Sequence, residues 1–102
     1  MKKVYDALKV LAAKKRTSVE TTPFESADVG GLFFEGSTGC LVVINTALDQ
    51  YQQCLTIAVA IWCAKHRETA LPNERVPYQA ERVAQRLVRY VQHQTQQSQR
   101  VA

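Results

Sequence analysis

The sequence has no apolar run long enough to cross a membrane. The longest run, residues 54–64, is interrupted by Thr56 and falls well short of the roughly 18 residues that a bilayer requires. Residues 1–6 also lack the apolar stretch typical of a signal peptide. These absences exclude a membrane protein from our interpretation, and we expect a cytoplasmic one.

Cysteine is also scarce. The three cysteines, Cys40, Cys54 and Cys63, cannot all pair within one chain, and two of them lie in the most apolar segment. A free thiol in such a segment behaves as a small hydrophobic side chain. We therefore expect all three thiols to be reduced.

The chain lacks both the length of a multidomain enzyme and a strong excess of charge. Its 102 residues are 46% hydrophobic and 22% charged, which is the balance of one globular domain. The formal net charge of +4 is mild. It permits a nucleic acid or an acidic protein surface as a partner and requires neither.

Apolar periodicity predicts three helices. The first covers residues 2–15. The second follows Thr46, the expected N-cap, and runs to about His66 with apolar residues on nearly every side, which predicts a buried central position. The last helix covers residues 78–94 and has one apolar stripe, and we expect residues 95–102 to form a polar C-terminal tail.

The segment between the first two helices alternates with period two and is rich in β-branched and aromatic residues. This pattern predicts strands at residues 17–22, 31–35 and 40–45, with residues 36–39 as a hairpin turn. We therefore expect an α+β fold with an N-terminal helix, a small three-stranded antiparallel sheet, a buried central helix and a C-terminal helix. Residues 1–94 would form the single domain.

Several short motifs follow one another in a particular order. They are Gly-Gly-Leu-Phe at residues 30–33, Val-Ile-Asn at 43–45, Tyr-Gln-Gln-Cys-Leu at 51–55 and Thr-Ile-Ala-Val-Ala-Ile-Trp-Cys at 56–63. This order resembles the ImmA/IrrE metallopeptidase family, in which the corresponding helix carries Thr-Leu-Ala-His-Glu-x-x-His. The resemblance covers most of the chain as a pattern and implies a setting in the control of phage and mobile-element repressors.

The catalytic motif of that family is missing. The resemblance places Val59 and Cys63 at the two zinc-binding histidines and Ala60 at the general-base glutamate, and valine and alanine can perform neither task. The third family ligand corresponds to Glu81 in Glu81-Arg-Val-Ala84, although Glu81 also fits an ordinary helix-surface residue. The resemblance thus implies a pseudo-enzyme without a metal or other cofactor. The same helix also fits the core of an unrelated α+β domain.

Cys63 and His66 lie three residues apart and could form a nucleophile pair or half of a metal site. Structural roles are favoured instead, because the apolar surroundings of Cys63 predict a raised thiol pKa and His66 fits the solvated end of its helix. We expect Trp62 and Tyr51 to lie in the core.

Two surface features favour binding. Arg82, Arg86 and Arg89 recur on one side of the last helix and form either a docking stripe for phosphates and carboxylates or an ordinary solvated face. Strand alternation places one ring of Phe33 and Phe34 inward and the other outward, where it can anchor an interface.

Three functional hypotheses follow. The first is a non-catalytic regulatory protein that acts by protein–protein contact, such as an antirepressor or an inhibitor of a host protein. The second is a small metal-dependent hydrolase that uses Cys63, His66 and Glu81, and the third is a basic accessory protein bound to nucleic acid. We favour the first; the sequence names neither the partner nor the oligomeric state.

Overall fold

The computed structural model describes residues 1–26, 28–65 and 78–101. It confirms the α+β fold and contains three helices and one three-stranded sheet. In chain order the elements are α1 (Lys2–Lys14), β1 (Thr17–Thr22), β2 (Gly31–Glu35), β3 (Cys40–Asn45), α2 (Gln50–Lys65) and α3 (Tyr78–Val101).

The sheet is mixed, so the expectation of a purely antiparallel sheet is wrong. Its strand order is β1-β3-β2, with β2 antiparallel to β3 and β1 parallel to β3. Alternation identifies strands but not their neighbours. The connection across residues 23–30 carries the chain past the position of β3, a distance of about two strand spacings or 10 Å, and β3 then inserts between the two earlier strands.

α2 is the central element, as predicted. It contacts α1, α3, β1 and β3. The helix begins at Gln50, and its N-cap is Asp49 rather than the expected Thr46, because the carboxylate Oδ1 of Asp49 accepts a hydrogen bond of 2.8 Å from the backbone N–H of Gln52. Six of its side chains are buried: Cys54, Ile57, Ala58, Val59, Ala60 and Cys63.

The outer helices each bury one stripe against α2. α1 buries Val4, Leu8 and Ala12. On α3 the buried residues are Ala84, Val88 and Val91. The opposite sides of both helices carry the lysines and arginines, which explains why the two sequences read as amphipathic.

α3 continues to Val101, seven residues beyond the predicted end at Gln94, so most of the expected tail is helical. Burial is not required for this extension, because glutamine is a good helix former. Side-chain pairs four residues apart also support it: Gln94 Nε2 donates to the hydroxyl of Tyr90 at 2.7 Å, and Gln97 Nε2 lies 3.0 Å from His93 Nε2.

The two aromatic residues expected in the core differ in their burial. Trp62 is half-buried and packs against the core cluster, so that prediction is confirmed in part. Tyr51 is 41% exposed, and its core assignment is wrong. Tyr51 lies in the first turn of α2, at the rim of the domain rather than in its enclosed middle.

Candidate functional site

The outer face of the sheet, opposite the helices, carries exposed apolar side chains. Phe34 is 51% exposed and Leu32 is 42% exposed, and both lie on this face because they are two residues apart on β2. Phe33 points the other way and packs against the core, paired with the buried Val42. The prediction of one inward and one outward ring is confirmed, and Phe34 is the outward one.

The central strand adds two more apolar residues to the same face. Leu41 is the cross-strand partner of Phe34, and Val43 is the partner of Leu32. Both are half-buried. Leu32, Phe34, Leu41 and Val43 therefore form one contiguous apolar surface, which we call the outer sheet patch.

Polar residues of β1 border this patch. Ser18 is the partner of Leu41, Glu20 is the partner of Val43, and Thr22 follows along the same face. All three are exposed. An apolar centre with a polar border is the usual layout of a protein–protein contact surface.

Glycine fixes the position of β2 relative to α2. A Cβ added at Gly31 would lie 2.8 Å from the carbonyl oxygen of Val43 and 2.9 Å from Cγ2 of Thr56. No side chain fits in that space, so β2 can lie close to α2 only with glycine at this position. The Gly-Gly motif thus has a packing explanation.

Asn45 organises the loop that leads into β2. Its side chain is fully buried, and its Oδ1 accepts hydrogen bonds from the backbone N–H groups of Phe24 at 3.0 Å and Ala47 at 2.9 Å. Its Nδ2 donates to the carbonyl oxygens of Ser26 at 3.0 Å and Val29 at 2.9 Å. One side chain therefore connects residues 24–29 to the end of β3, beside the outer sheet patch.

The positions that the ImmA/IrrE resemblance assigns to a zinc site lie on the helix side of the sheet. Val59, Ala60 and Cys63 are buried in the core cluster, whereas Glu81 is exposed in the first turn of α3. Burial raises the pKa of the Cys63 thiol to about 11, in agreement with the sequence-based expectation, and the nearby Cys40 adds to this effect.

Residues that could bind a metal are dispersed in the described part of the chain. Within residues 1–26, 28–65 and 78–101, no three His, Cys, Asp or Glu side chains form a group that could hold a metal ion. The proposed pairing of Cys63 with His66 lies partly outside the described residues, because His66 is not among them.

The arginine stripe lies on the solvent-facing side of α3. Arg82, Arg86 and Arg89 are all exposed, on the side opposite the buried Ala84 and Val88. Their shared exposure was predicted from the spacing. This exposure fits both a docking stripe and a solvated face.

No protein family, curated protein or solved structure matches the chain. Among the described helices, none combines the length and apolar character that crossing a bilayer demands. The resemblance to the ImmA/IrrE family therefore stays a prediction.

Sequence reasoning missed most of the outer sheet patch and the role of Asn45. Residues 41–44 read Leu-Val-Val-Ile, and such a run does not reveal which face of a strand is open. The sequence shows Asn45 only as part of a short motif and does not reveal its hydrogen bonds, because their partners are up to 21 residues away in the sequence.

Proposed function

We propose that this chain is a non-catalytic, cytoplasmic regulatory domain that binds another protein through the outer sheet patch. The observation that carries the proposal is the joint exposure of Phe34 and Leu32 beside the half-buried Leu41 and Val43. A monomer normally covers such a sheet face or makes it polar, and a parallel strand pair such as β1 and β3 is usually covered on both faces.

The chemistry of the patch suits a protein partner. Phe34 offers a rigid ring that loses little conformational entropy when it is buried, and the neighbouring aliphatic side chains supply the surrounding area. The patch itself carries no charge for a phosphate backbone, and the adjacent Glu20 would repel one. An apolar protein surface with a cation opposite Glu20 fits better than a nucleic acid.

The interior of α2 supports a non-catalytic role. The side chains of Val59 and Ala60 have no atoms that could bind a metal or move a proton, and a thiol with a pKa of about 11 stays protonated at neutral pH. By the resemblance to ImmA/IrrE proteins, the partner would be a phage or mobile-element repressor or another host protein, inactivated by contact rather than by cleavage.

Photo-crosslinking in a native bacterial host tests the contact surface directly. The probe is p-benzoylphenylalanine, introduced at Phe34 in one variant and at Tyr90 in a matched control. Tyr90 is an aromatic residue of similar size that is 59% exposed on α3, one turn beyond Arg86. We expect both variants to have melting temperatures close to that of the wild type, because both positions are exposed.

We expect irradiation to produce a discrete cross-link to another protein at position 34 and none at position 90. Cross-linking at position 90 alone would move the contact to the arginine-bearing side of α3. A cross-link at position 34 to a second copy of the chain would show self-association in place of a regulatory partner. Equal labelling at both positions, or none, would contradict the proposal.

A further inference from the structure

The free edge of β1 presents backbone hydrogen-bonding groups to one side of the domain. β1 is an outer strand of the sheet. The carbonyl oxygen of Arg16 accepts a hydrogen bond of 2.9 Å from the N–H of Cys40, and that of Thr22 accepts one of 3.0 Å from the N–H of Thr46, just after β3. Because alternate residues of a strand point their backbone groups to opposite sides, those of Thr17, Val19 and Thr21 point away from β3. Thr17 is only 3% exposed, whereas Val19 is half-buried and Thr21 is exposed, so Val19 and Thr21 supply the accessible groups of this edge.

An open groove lies at the start of this edge. It has a volume of about 460 Å³ and lies between α1 and β1, with Lys9, Ala13, Arg16 and Val19 among its lining residues. The hydroxyl-bearing residues Thr17, Ser18 and Thr38 also line it. We call this feature the cationic groove.

Positive charge is concentrated in the segment that contributes Lys9, Ala13 and Arg16 to the groove. The first sixteen residues contain six lysines and arginines and a single acid, Asp6, so they carry a formal charge of +5 while the remainder of the chain carries −1. Lys9 and Arg16 line the groove itself and are exposed. Glu20, the acid of β1, lies on the outer face of the sheet, opposite the helices.

The turn between α1 and β1 holds Arg16 at the mouth of the groove. Arg16 has a left-handed backbone conformation with φ of 54°, and its N–H donates to the carbonyl oxygen of Ala13 at 3.0 Å. Gly39 packs directly on the Arg16 carbonyl, where any Cβ would collide with it. The arginine therefore leaves the end of α1 in one defined direction.

We propose that the cationic groove binds an extended acidic segment of another protein, which adds to the sheet as a fourth strand beside β1. The backbone groups at Val19 and Thr21 match the repeat of a peptide strand, which a nucleic-acid backbone cannot satisfy. Carboxylates on alternate residues of the added strand share one face, so those beside the groove can point toward Lys9 and Arg16. This inference does not depend on the outer sheet patch.

The test titrates the full chain with decapeptides in which two residue types alternate. Binding is measured from the amide chemical shifts of the protein. The threonine–glutamate peptide should shift the amides of Val19 and Thr21 at lower concentration than the threonine–glutamine peptide, and the threonine–lysine peptide should not bind. A proline–glutamate peptide has the same charge but lacks half of the N–H donors. If it binds equally well, attraction is purely electrostatic and strand addition is refuted.

Paired charge reversals locate the site. The double variant Lys9→Glu, Arg16→Glu should weaken binding of the threonine–glutamate peptide by about tenfold or more. The matched control Lys2→Glu, Lys3→Glu makes the same change in net charge at exposed positions that do not line the groove, and it should stay within about twofold.

Three results would overturn the proposal. Equal weakening by both double variants would mean that overall charge alone attracts the peptide. Shifts confined to α3 would place the peptide on the arginine stripe. A plain DNA duplex that shifts the same groove amides at lower concentration than the threonine–glutamate peptide would make the groove a polyanion site. The peptide comparisons use the wild-type chain, so they hold even if a variant folds poorly.

Discussion

Replacement of Asn45 by alanine tests whether one buried side chain holds the loop beside the outer sheet patch. The substitution removes four hydrogen bonds of 2.9 to 3.0 Å, two accepted by Oδ1 and two donated by Nδ2. It leaves two backbone N–H groups and two carbonyl oxygens without these partners, together with the space of a deleted amide.

The expected loss of unfolding free energy is about 3–5 kcal/mol. Each bond contributes on the order of 1 kcal/mol net, and a buried group left without a partner adds a penalty of similar size. The loop partners are only partly buried, so water recovers part of this loss. The result is a large fraction of the 5–15 kcal/mol that is typical of a folded domain.

Urea unfolding measures the change, and Asn45→Asp provides the matched control. The aspartate keeps the two acceptor bonds but points a carboxylate oxygen at the carbonyls of Ser26 and Val29. Burial and these carbonyls raise the pKa of the introduced carboxyl above its unfolded value. Protonation thus favours the folded state, and the deficit of this variant should shrink as the pH falls and grow as it rises.

The reasoning fails if the unfolding free energy of Asn45→Ala lies within about 1 kcal/mol of the wild-type value, because four such bonds cannot contribute so little. It also fails if the deficit of Asn45→Asp is independent of pH. Amide exchange gives a second check: the N–H groups of Phe24 and Ala47 should lose protection in the alanine variant before those of β3 do.

Three further predictions concern stability. Gly39→Ala should cost about 2 kcal/mol or more, because Gly39 has a positive φ and packs on the Arg16 carbonyl, whereas Gly36→Ala meets only an ordinary contact of 3.6 Å and should cost less than half as much in thermal melts. Because burial raises the pKa of Cys63 from 9.0 to about 11, the folded state retains this proton; unfolding free energy should fall as pH rises from 9 to 11, and Cys63→Ala should reduce that fall. A variant with an unchanged slope would contradict the assignment. Trp62→Ala should cost about 2–3 kcal/mol, below the value for a fully buried tryptophan, since Trp62 is half-buried; urea unfolding followed by circular dichroism would reject this if the variant matched the wild type.

The local sequence pattern was sufficient to predict the helices and strands themselves. The helix predicted over residues 2–15 is found at Lys2–Lys14, and all three strands occupy their predicted residues. These segments combine a clear period with turn residues at their ends, so local preference and tertiary burial agree. Two helix ends are exceptions. α2 begins at Gln50 and not directly after Thr46, and α3 extends beyond Gln94, because polarity marks exposure and does not mark the loss of helical hydrogen bonds.

Contacts between residues that are far apart in the sequence could not be predicted from it. The parallel pairing of β1 with β3 depends on which strands become neighbours, and alternation carries no information on that choice. The cationic groove depends on the same topology, since it exists only where β1 forms an edge. The lysine-rich helix could be read from the sequence, but its position beside a free strand edge could not.

The sheet separates the positions that the ImmA/IrrE resemblance assigns to a zinc motif from the proposed contact surface. Val59, Ala60 and Cys63 are buried on the helix side, whereas Phe34 is exposed on the outer face. Sites that share no contact partners contribute additively to free energies. The triple variant Val59→His, Ala60→Glu, Cys63→His should bind zinc weakly at best, because the third candidate ligand, Glu81, is exposed on α3. Since the two sites are separate, this variant should keep the cross-link at position 34 as long as circular dichroism shows that it is folded. Loss of that cross-link in a folded triple variant would show that the helix side takes part in partner binding, and a contact confined to the outer sheet patch would then be wrong.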